Sequence, residues 1–549
     1  MRKIKLSPFL LLIPLFIIVW GFLNLYFFDP FYAHASDPEY PYLLNGLNVA
    51  LLEFSRIGHF DHPGTPFQIY CGLIIRLTHI FSGKEAIAQD VISRPEYYLS
   101  AISFSLIILQ AFLCFLIAWI GKKREISTWK LIVLQSGVLF SLTTLWLFCR
   151  VIPERWIVVV SLLFTIVYLL YGYKDKHPLK FAIWSGVIMG MGFATKFNFL
   201  PIILLPFLLI NSSRNKLIYA ISGVASFFIF LLPIIKKIGY FRDFIVGIAT
   251  HDGFYGGGEK RMFNPDSVQT SISQILDQSP ILMLFILVII IALIFAIICR
   301  KKHKTNRQIM FFAGMLFIIF LQIIMVVKHF KFYYLLPLIT IYPFVLFILD
   351  DFFQKTGKSN KFAQLPVILI FIIFTSFTAQ QTYKDFKAEK RNMEQREIAR
   401  KFVDKNIPEK SFWFVTTPTW MSAPYVENAL AYGLAYVRWR IHYFEELIKK
   451  NPNVVLLSDN SEEMINLWRE HKISIDSIVV TRTPIHLYYS GGRDTEMIMN
   501  ILEKAAQRND VVLSIDTIFS STQTNSHIVV LQNKNSLKDW KTEELLLSK

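Results

Sequence analysis

The sequence predicts an α-helical membrane protein with many spans, followed by a small α/β domain. Of the 549 residues, 54% are hydrophobic and 18% are charged, and the mean hydropathy of +0.43 lies above that of water-soluble domains. Apolar runs dominate the chain before about residue 380. After that point, short β-rich runs alternate with polar helical stretches. These observations exclude an ordinary soluble enzyme.

Segments long enough to cross a bilayer recur throughout the first part of the chain. One crossing needs about 20 mostly apolar residues, and about eleven segments approach that length. The first follows a basic start and is expected to remain as an anchor. The segments lie near residues 6–28, 98–120, 131–149, 154–172, 181–195, 197–210, 217–236, 281–299, 308–327, 332–349 and 362–379. The sequence therefore predicts a membrane domain over residues 1–380 and a second domain over 381–549.

Basic residues define the expected orientation. The 57 Lys and Arg exceed the 40 Asp and Glu, for a net charge of +17, but they lie mostly between apolar runs, which favours membrane topology over nucleic-acid binding. With the amino terminus in the cytoplasm, the short inner loops contain 20 Lys and Arg residues and the short outer turns contain five. We expect a multi-pass protein of a bacterial cytoplasmic membrane, with outer loops at about 29–97 and 237–280 and an extracytoplasmic C-terminal domain.

The C-terminal domain is predicted from its alternating pattern. Predicted strands cover residues 412–416, 454–458, 478–481, 511–515 and 528–531, and predicted helices cover 461–471 and 496–508. The chain has four cysteines, which lack the paired spacing of a disulfide, redox or metal motif and are expected to act as small hydrophobic residues. Nothing in the domain is typical of a catalytic motif.

The first outer loop is predicted to form two amphipathic helices in the plane of the membrane interface. One covers residues 42–57, and the other begins at Thr65 with an apolar stripe that ends at Phe81. Polar residues cluster at the ends of these helices: Asp37 and Glu39 precede the first, and Asp61 and His62 lie between the two. Carboxylates and imidazoles near a bilayer surface are suited to acid-base chemistry. The alternative is that Asp37 caps a helix and His62 packs against it.

This arrangement resembles the GT-C superfamily of membrane glycosyltransferases, in particular the branch of protein O-mannosyltransferases and lipid A aminoarabinose transferases. That branch has an acidic motif after the first span, here Asp37 and Glu39, and a His-Pro motif between two juxtamembrane helices, here His62-Pro63. The chain departs from the family pattern where Pro38 separates the two acidic residues and where Gly64-Thr65 replaces a second proline. Three later stretches are also similar: 150–155, 186–201 with Lys196 at the end of a glycine-rich helix, and 328–337. The resemblance covers roughly 340 residues and not the C-terminal domain.

The resemblance implies a GT-C fold and an inverting hexosyl or pentosyl transfer at the outer face of the membrane. The donor would be a sugar on polyprenyl phosphate, and the acceptor a glycan, a lipid or a protein. Asp37 would take the proton of the acceptor hydroxyl, with Glu39, Asp61 and His62 as helpers or alternatives. Asp61 is also a candidate substrate-binding residue. The donor phosphate would be held by Lys196, Lys328, His329 and Lys331. The alternative for the lysines is snorkelling to lipid headgroups.

The second outer loop is glycine-rich between residues 251 and 261. Consecutive glycines permit backbone shapes whose amides converge on an anion, so this loop is a candidate substrate-binding site, with a flexible surface loop as the alternative. The candidate residues are His251, Asp252, Tyr255, Gly256 and Gly257.

The sequence indicates no cofactor beyond the lipid-linked donor. The acidic and histidine side chains of both outer loops offer ligands for a divalent metal ion, but no fixed spacing connects them, so metal dependence stays open. The competing function is a transporter or flippase of polyprenyl-linked sugars. Transporters often carry charges near the bilayer midplane and related halves, whereas here the polar clusters concentrate at one face, which favours an enzyme. A third alternative is that the C-terminal domain is a binding module and the membrane domain only its anchor. An anchor would not need about eleven spans.

Overall fold

The chain is mostly helical, with one small sheet near its C-terminal end. The structure is a computed structural model, and the residues it describes are 7–27, 30–33, 39–59, 64–140, 148–253, 257–262, 264–300, 305–328, 330–356, 365–408, 411–415, 429–430, 433, 453–456, 475–481, 484–490, 493–521 and 526–534.

The α-helices before the sheet are numbered in chain order. They are α1 (Leu12–Phe27), α2 (Tyr40–Ala50), α3 (Thr65–Ser82), α4 (Ile87–Ser93), α5 (Pro95–Lys123), α6 (Thr128–Gln135), α7 (Gly137–Phe140), α8 (Pro153–Val167), α9 (Pro178–Thr195), α10 (Leu204–Leu209), α11 (Ser213–Leu231), α12 (Ile238–Thr250), α13 (Pro265–Gln278), α14 (Pro280–Ile298), α15 (Asn306–Val327), α16 (Leu336–Ile339), α17 (Tyr342–Thr356) and α18 (Leu365–Asn406). Proline often occupies the first turn, where its missing N–H would be unpaired in any case.

The chain divides into two compact units. The first unit consists of Met1–Phe27, Glu53–Ile74 and Ala101–Asp385. The second unit consists of Phe28–Leu52, Ile75–Ser100 and Phe386–Lys549. Two pieces of the first predicted outer loop thus belong to the same unit as the C-terminal domain.

Among the described residues, eight helical segments are long and apolar enough to cross a membrane. They are Pro8–Phe27, Pro95–Lys123, Pro153–Asp175, Ser213–Thr250, Pro280–Ile298, Asn306–Val327, Tyr333–Gln354 and Leu365–Asn406. Each overlaps one predicted span. Of the remaining three predictions, 181–195 coincides with α9, 197–210 coincides with the short apolar helix Phe197–Leu209, and 131–149 begins in α6 and α7 and then leaves the described residues.

Small residues bring α9 and α11 together in the first unit. Gly186 and Gly190 lie one turn apart on α9, and a Cβ atom at either position would collide with the backbone of α11 at Tyr219 or Gly223. The Ser226 hydroxyl on α11 donates to the carbonyl of Val187 at 2.7 Å. Close backbone approach through small residues is typical of helix pairs in membranes.

The second unit contains a five-stranded sheet. Its strands are β1 (Phe412–Val415), β2 (Val454–Leu456), β3 (Ile485–Ser490), β4 (Leu513–Ser521) and β5 (Ser526–Asn533). In the order β2-β1-β3-β5-β4, the first three are parallel and the last two antiparallel to their neighbours. Helix α20 (Arg493–Arg508) packs its apolar side into the core of the unit. It confirms the predicted helix over 496–508.

One strand prediction was wrong. Residues 478–481 belong to helix α19 (Ile475–Thr481), and the strand lies further along the chain as β3. The β-branched run Ile478-Val479-Val480 favours a strand by propensity. In the structure, Ile478 and Val479 are both buried in the core of the unit while Val480 is half exposed, so packing of consecutive residues overrides propensity.

The two predicted interfacial helices have different outcomes. Helix α3 begins at Thr65 as expected and exposes Leu73, Leu77 and Phe81 of the predicted stripe. Helix α2 is shorter than predicted, and all of its residues are buried, so the interfacial assignment was wrong for this helix. It begins beside a partly buried hydrogen-bond network, in which the Tyr40 hydroxyl donates to Glu96 at 2.5 Å and the Phe31 amide donates to the same carboxylate at 2.9 Å.

Replacing Gly190 by alanine tests the α9–α11 contact. We expect this change to destabilise the protein by about 1–3 kcal/mol, because the new methyl group must push the two backbones apart. Gly239→Ala in α12 is the matched control, since a Cβ atom there meets nothing within 4 Å. Thermal unfolding in detergent measures both variants, and equal stability of the two would contradict the close-approach argument.

The second unit should lose stability in acid through His486. The ring lies buried in β3, 5.1 Å from the Trp413 ring, and burial lowers the pKa of His486 from 6.5 to about 4. Its contribution is complete above pH 6.5 and is lost as the pH falls toward 4, because the unfolded chain binds the proton first. The resulting loss in the free energy of unfolding is about 3 kcal/mol.

Hydrogen exchange of peptides over residues 485–490, corrected for the intrinsic pH dependence of exchange, measures the effect. His486→Gln should weaken the dependence of stability on pH between 6.5 and 4. An unchanged dependence in that variant would exclude His486 as its source.

Candidate functional site

A buried ion pair connects the start of α8 to the end of α9 in the first unit. Glu154 is the second residue of α8, and Lys196 follows directly after the last residue of α9. The Lys196 ammonium donates to Oε1 of Glu154, and both side chains are more than nine-tenths buried. The structure therefore gives Lys196 a partner within the protein. This differs from the alternative considered from the sequence, in which the lysine extends to lipid headgroups.

Aromatic rings and amides surround this pair. The Lys196 ammonium lies 5.3 Å from the centroid of the Tyr333 ring and 5.1 Å from that of Tyr334, within the range of cation–π attraction. The backbone carbonyl of Tyr334 accepts from the Asn198 side chain at 3.0 Å and from Gln322 at 3.1 Å. The backbone of Tyr334 is thus held by hydrogen bonds from two neighbouring segments.

Two further lysines lie in the same part of the first unit. The Lys331 ammonium is 5.7 Å from the Tyr333 ring centroid. Lys328 donates to the backbone carbonyl of Ile248 in the last turn of α12, and burial lowers its pKa, with Asp252 acting in the opposite direction. We call these residues the lysine cluster: Glu154, Lys196, Lys328, Lys331, Tyr333 and Tyr334.

The glycine-rich loop beside Lys328 is closed by Asp252. One carboxylate oxygen accepts from the Glu259 amide at 2.9 Å, and the other pairs with the Arg261 guanidinium. These contacts lower the pKa of Asp252, with Arg261 as the largest cause. Gly258 has a φ of +82°, and a Cβ atom there would lie 2.5 Å from the Asp252 carboxylate. The carboxylate therefore organises the loop itself.

Two further groups of ion pairs of the first unit connect other pairs of its segments. Lys130, near the start of α6, lies 2.9 Å from Asp350 near the end of α17 and also pairs with Asp351. Arg307, the second residue of α15, lies 3.2 Å from Asp175. The Lys130–Asp350 pair is buried and the Arg307–Asp175 pair is half exposed; charges placed away from the middle of apolar helices are expected for candidate membrane spans.

The predicted site residues other than Glu39 fall into three groups. Lys196 and Lys331 both lie near the Tyr333 ring, 5.3 Å and 5.7 Å from its centroid, whereas Lys328 contacts the Ile248 carbonyl and is influenced by the charge of Asp252. His251 and Gly257 belong to the adjoining loop, where the His251 ring lies 2.9 Å from the Thr250 hydroxyl and the Gly257 carbonyl accepts from Gly253 at 2.8 Å. Outside the described residues lie Asp37, Asp61, His62, Tyr255, Gly256 and His329.

Glu39 lies in the second unit, directly before α2. Its side chain is fully buried, and its backbone carbonyl accepts from the amides of Tyr42 and Leu43, both at 3.0 Å. The residue thus occupies the start of a buried helix, and its proposed part in acid-base chemistry stays a prediction.

Metal ligands do not cluster in the part of the chain that the structure describes. There, no group of three or more His, Cys, Asp or Glu side chains is placed to hold a metal ion. Of the acidic and histidine side chains that the sequence offers as metal ligands, Glu39, His251 and Asp252 lie in this part.

The partner of Lys196 was not predicted from sequence. The turn at residues 150–155 was noted only for its resemblance to the family, and Glu154 received no role. A signal was available, because a carboxylate at the start of one span and a lysine at the end of the next are expected at the same membrane face. The two tyrosines were likewise noted only as part of an aromatic motif.

The ion pair should respond cooperatively to mutation. Glu154→Gln or Lys196→Met alone leaves a buried charge without its partner, which typically costs about 3–5 kcal/mol. The double variant removes both charges, so we expect it to be clearly more stable than the sum of the two losses predicts. Denaturant unfolding in detergent measures the cycle, and strictly additive losses would exclude a direct interaction.

Comparison with known proteins returned no match. No protein-family model, curated protein or solved structure matches the chain.

Proposed function

We propose that the chain is a membrane glycosyltransferase of the GT-C type. It would transfer a hexosyl or pentosyl group from a polyprenyl-phosphate donor to a glycan, lipid or protein acceptor, with inversion at the anomeric carbon. The reaction would occur at the outer face of a bacterial cytoplasmic membrane, in a chain of about eleven spans with a cytoplasmic amino terminus and an extracytoplasmic C-terminal domain. The observation that carries this proposal is the lysine cluster at one end of the candidate spans.

The charge of the cluster suits a leaving phosphate. When the sugar leaves its carrier, negative charge grows on the phosphate oxygens, and cations in a partly dry site stabilise that charge. Glu154 offsets the charge of Lys196, so the excess positive charge rests on Lys328 and Lys331. Lys196 would then serve mainly to fix α8, α9 and the tyrosines around the phosphate.

The position of these charges near a membrane face suits a lipid-borne donor. A polyprenyl chain keeps its phosphate close to the headgroup region, and the lysines follow or precede apolar helices directly. The neighbouring loop, closed by Asp252 and Arg261, would contribute to sugar or acceptor binding through His251, Gly257 and its flanking residues.

Acceptor activation requires a base. In the proposed mechanism, the Asp37 carboxylate takes the proton of the acceptor hydroxyl while the hydroxyl oxygen attacks the anomeric carbon. The bond from that carbon to the phosphate oxygen breaks, and its electron pair leaves with the phosphate. Glu39, Asp61 and His62 would assist by hydrogen bonding.

A transporter or flippase of polyprenyl-linked sugars is the second candidate. A transporter would be expected to bind its cargo through polar groups near the bilayer midplane. In the described part of the first unit, the buried ion pairs lie near helix ends, as Glu154 with Lys196 and Lys130 with Asp350 illustrate. This distribution favours chemistry at a membrane face.

Asp37→Asn tests the proposed chemistry, because it preserves size and removes basicity. In cells whose chromosomal copy is deleted, the wild-type chain should lower the amount of one polyprenyl-phosphate sugar and restore one surface glycan or glycolipid. The variant should reduce the transfer rate by about 100-fold or more. Mass spectrometry of lipid-linked sugars and of surface glycans provides the measurement.

Asp243→Asn is the matched control, because its exposed carboxylate pairs only with the adjacent Arg242 in the described structure. It should retain the wild-type transfer rate. Full transfer by Asp37→Asn at normal protein levels would exclude Asp37 as the base. If vesicles containing the purified chain move the lipid across the bilayer without releasing sugar, the transporter function would replace the one proposed.

A further inference from the structure

Arg155 is a buried cation without a carboxylate partner in the part of the chain that the structure describes. It is the third residue of α8, next to Glu154, and only 3% of its surface is exposed. Its Nη1 donates to the Ser103 hydroxyl at 3.1 Å and to the backbone carbonyl of Arg150 at 3.2 Å. Both acceptors are neutral, so they leave the positive charge uncompensated, a costly arrangement for a buried ion.

The two remaining nitrogens of the guanidinium have no acceptor among the described residues. Nε and Nη2 of Arg155 are both buried, and neither forms a hydrogen bond within the described structure. These two atoms share one edge of the guanidinium, and their N–H bonds on that edge are parallel. This edge is the one that grips two oxygens of a carboxylate or phosphate. The unsatisfied donors are therefore a matched pair.

The surroundings fix the guanidinium without using this edge. The Phe148 ring centroid lies 5.7 Å from its central carbon, and cation–π contact uses the face of the group. The Ser103 hydroxyl that anchors Nη1 also donates to the Cys149 carbonyl. Nearby, the Tyr70 hydroxyl donates to the Ser105 hydroxyl at 2.8 Å. The centroid of the Tyr70 ring lies 4.8 Å from that of the Trp156 ring. The side chain is thus held by neutral groups while two donors remain unused.

We propose that the Nε and Nη2 edge of Arg155 binds a phosphate group. A phosphate supplies both the missing acceptor oxygens and the missing negative charge, and a planar guanidinium suits it better than an ammonium does. Arg155 lies in the first turn of a candidate span, next to the glutamate of the lysine cluster. A phosphate carried by a lipid reaches this depth. That the phosphate belongs to a polyprenyl carrier rests on the proposed function, whereas the phosphate-binding edge does not.

Binding of sugar-free polyprenyl phosphate to the purified full-length chain in detergent tests the inference. Ligand-induced rises in the unfolding midpoint give a Kd for each variant. Arg155→Gln removes the charge, and Arg155→Lys retains the charge but lacks the paired edge. We expect binding by both variants to be about 10- to 100-fold weaker than wild type. Inorganic phosphate, titrated in parallel, distinguishes a free anion from a lipid-borne one as the ligand.

Arg307→Lys is the matched control, because its guanidinium already pairs with Asp175 and donates to the Leu209 carbonyl. It should bind the lipid as the wild type does. If Arg155→Gln fails to fold, Ser103→Ala tests the same site with the charge retained, and binding about 3- to 10-fold weaker is expected because one anchor of Nη1 is lost.

The inference is overturned if Arg155→Lys binds polyprenyl phosphate as tightly as wild type, or if the wild type binds neither phosphate. The assay needs no sugar transfer, so the two proposals can fail separately. A chain that binds through Arg155 but transfers no sugar would contradict the proposed function alone. A chain that transfers sugar with Arg155→Lys binding normally would contradict the phosphate edge alone.

Discussion

The burial of charge at helix ends constrains how the helices of the first unit can pack, and the Glu154–Lys196 pair is the clearest described case. An ammonium and a carboxylate removed from water are tolerated only where each lies against the other and where neighbours supply further contacts. Meeting that condition fixes the first turn of α8 against the end of α9. It also brings in Tyr333 and Tyr334, whose rings lie about 5 Å from the ammonium.

The same constraint explains how the remaining charges are distributed. Apolar helices leave only their ends for ionic groups, so Lys130 with Asp350 and Arg307 with Asp175 lie where helices begin or end. Arg155 differs from these pairs, since its described neighbours satisfy Nη1 but supply no negative charge. A buried guanidinium of this kind is expected to find its counter-ion outside the chain, which connects the packing of α8 to the chemistry proposed for this face.

Sequence reasoning located the spans well and the contacts poorly. Hydropathy depends on local composition, so all eight candidate spans overlap predicted ones, and the start of α3 followed from Thr65-Pro66. The approach of Lys196 to Glu154 depends on how α8 and α9 pack. The sequence places both charges at helix ends but does not show that they contact each other. Helix α2 has an amphipathic pattern but is buried on every side, and α19 forms from residues with strand propensity, because tertiary packing decides both.

The glycines of α9 have a consequence for motion. Because Gly186 and Gly190 allow the backbone of α9 to lie against that of α11, neither helix can slide or turn far without carrying the other. Lys196 follows the last residue of α9, so its backbone is attached to the packed pair of α9 and α11. Any movement of the Lys196 ammonium would therefore come from rotation of its own side chain, while its backbone stays in place on the timescale of side-chain rotation.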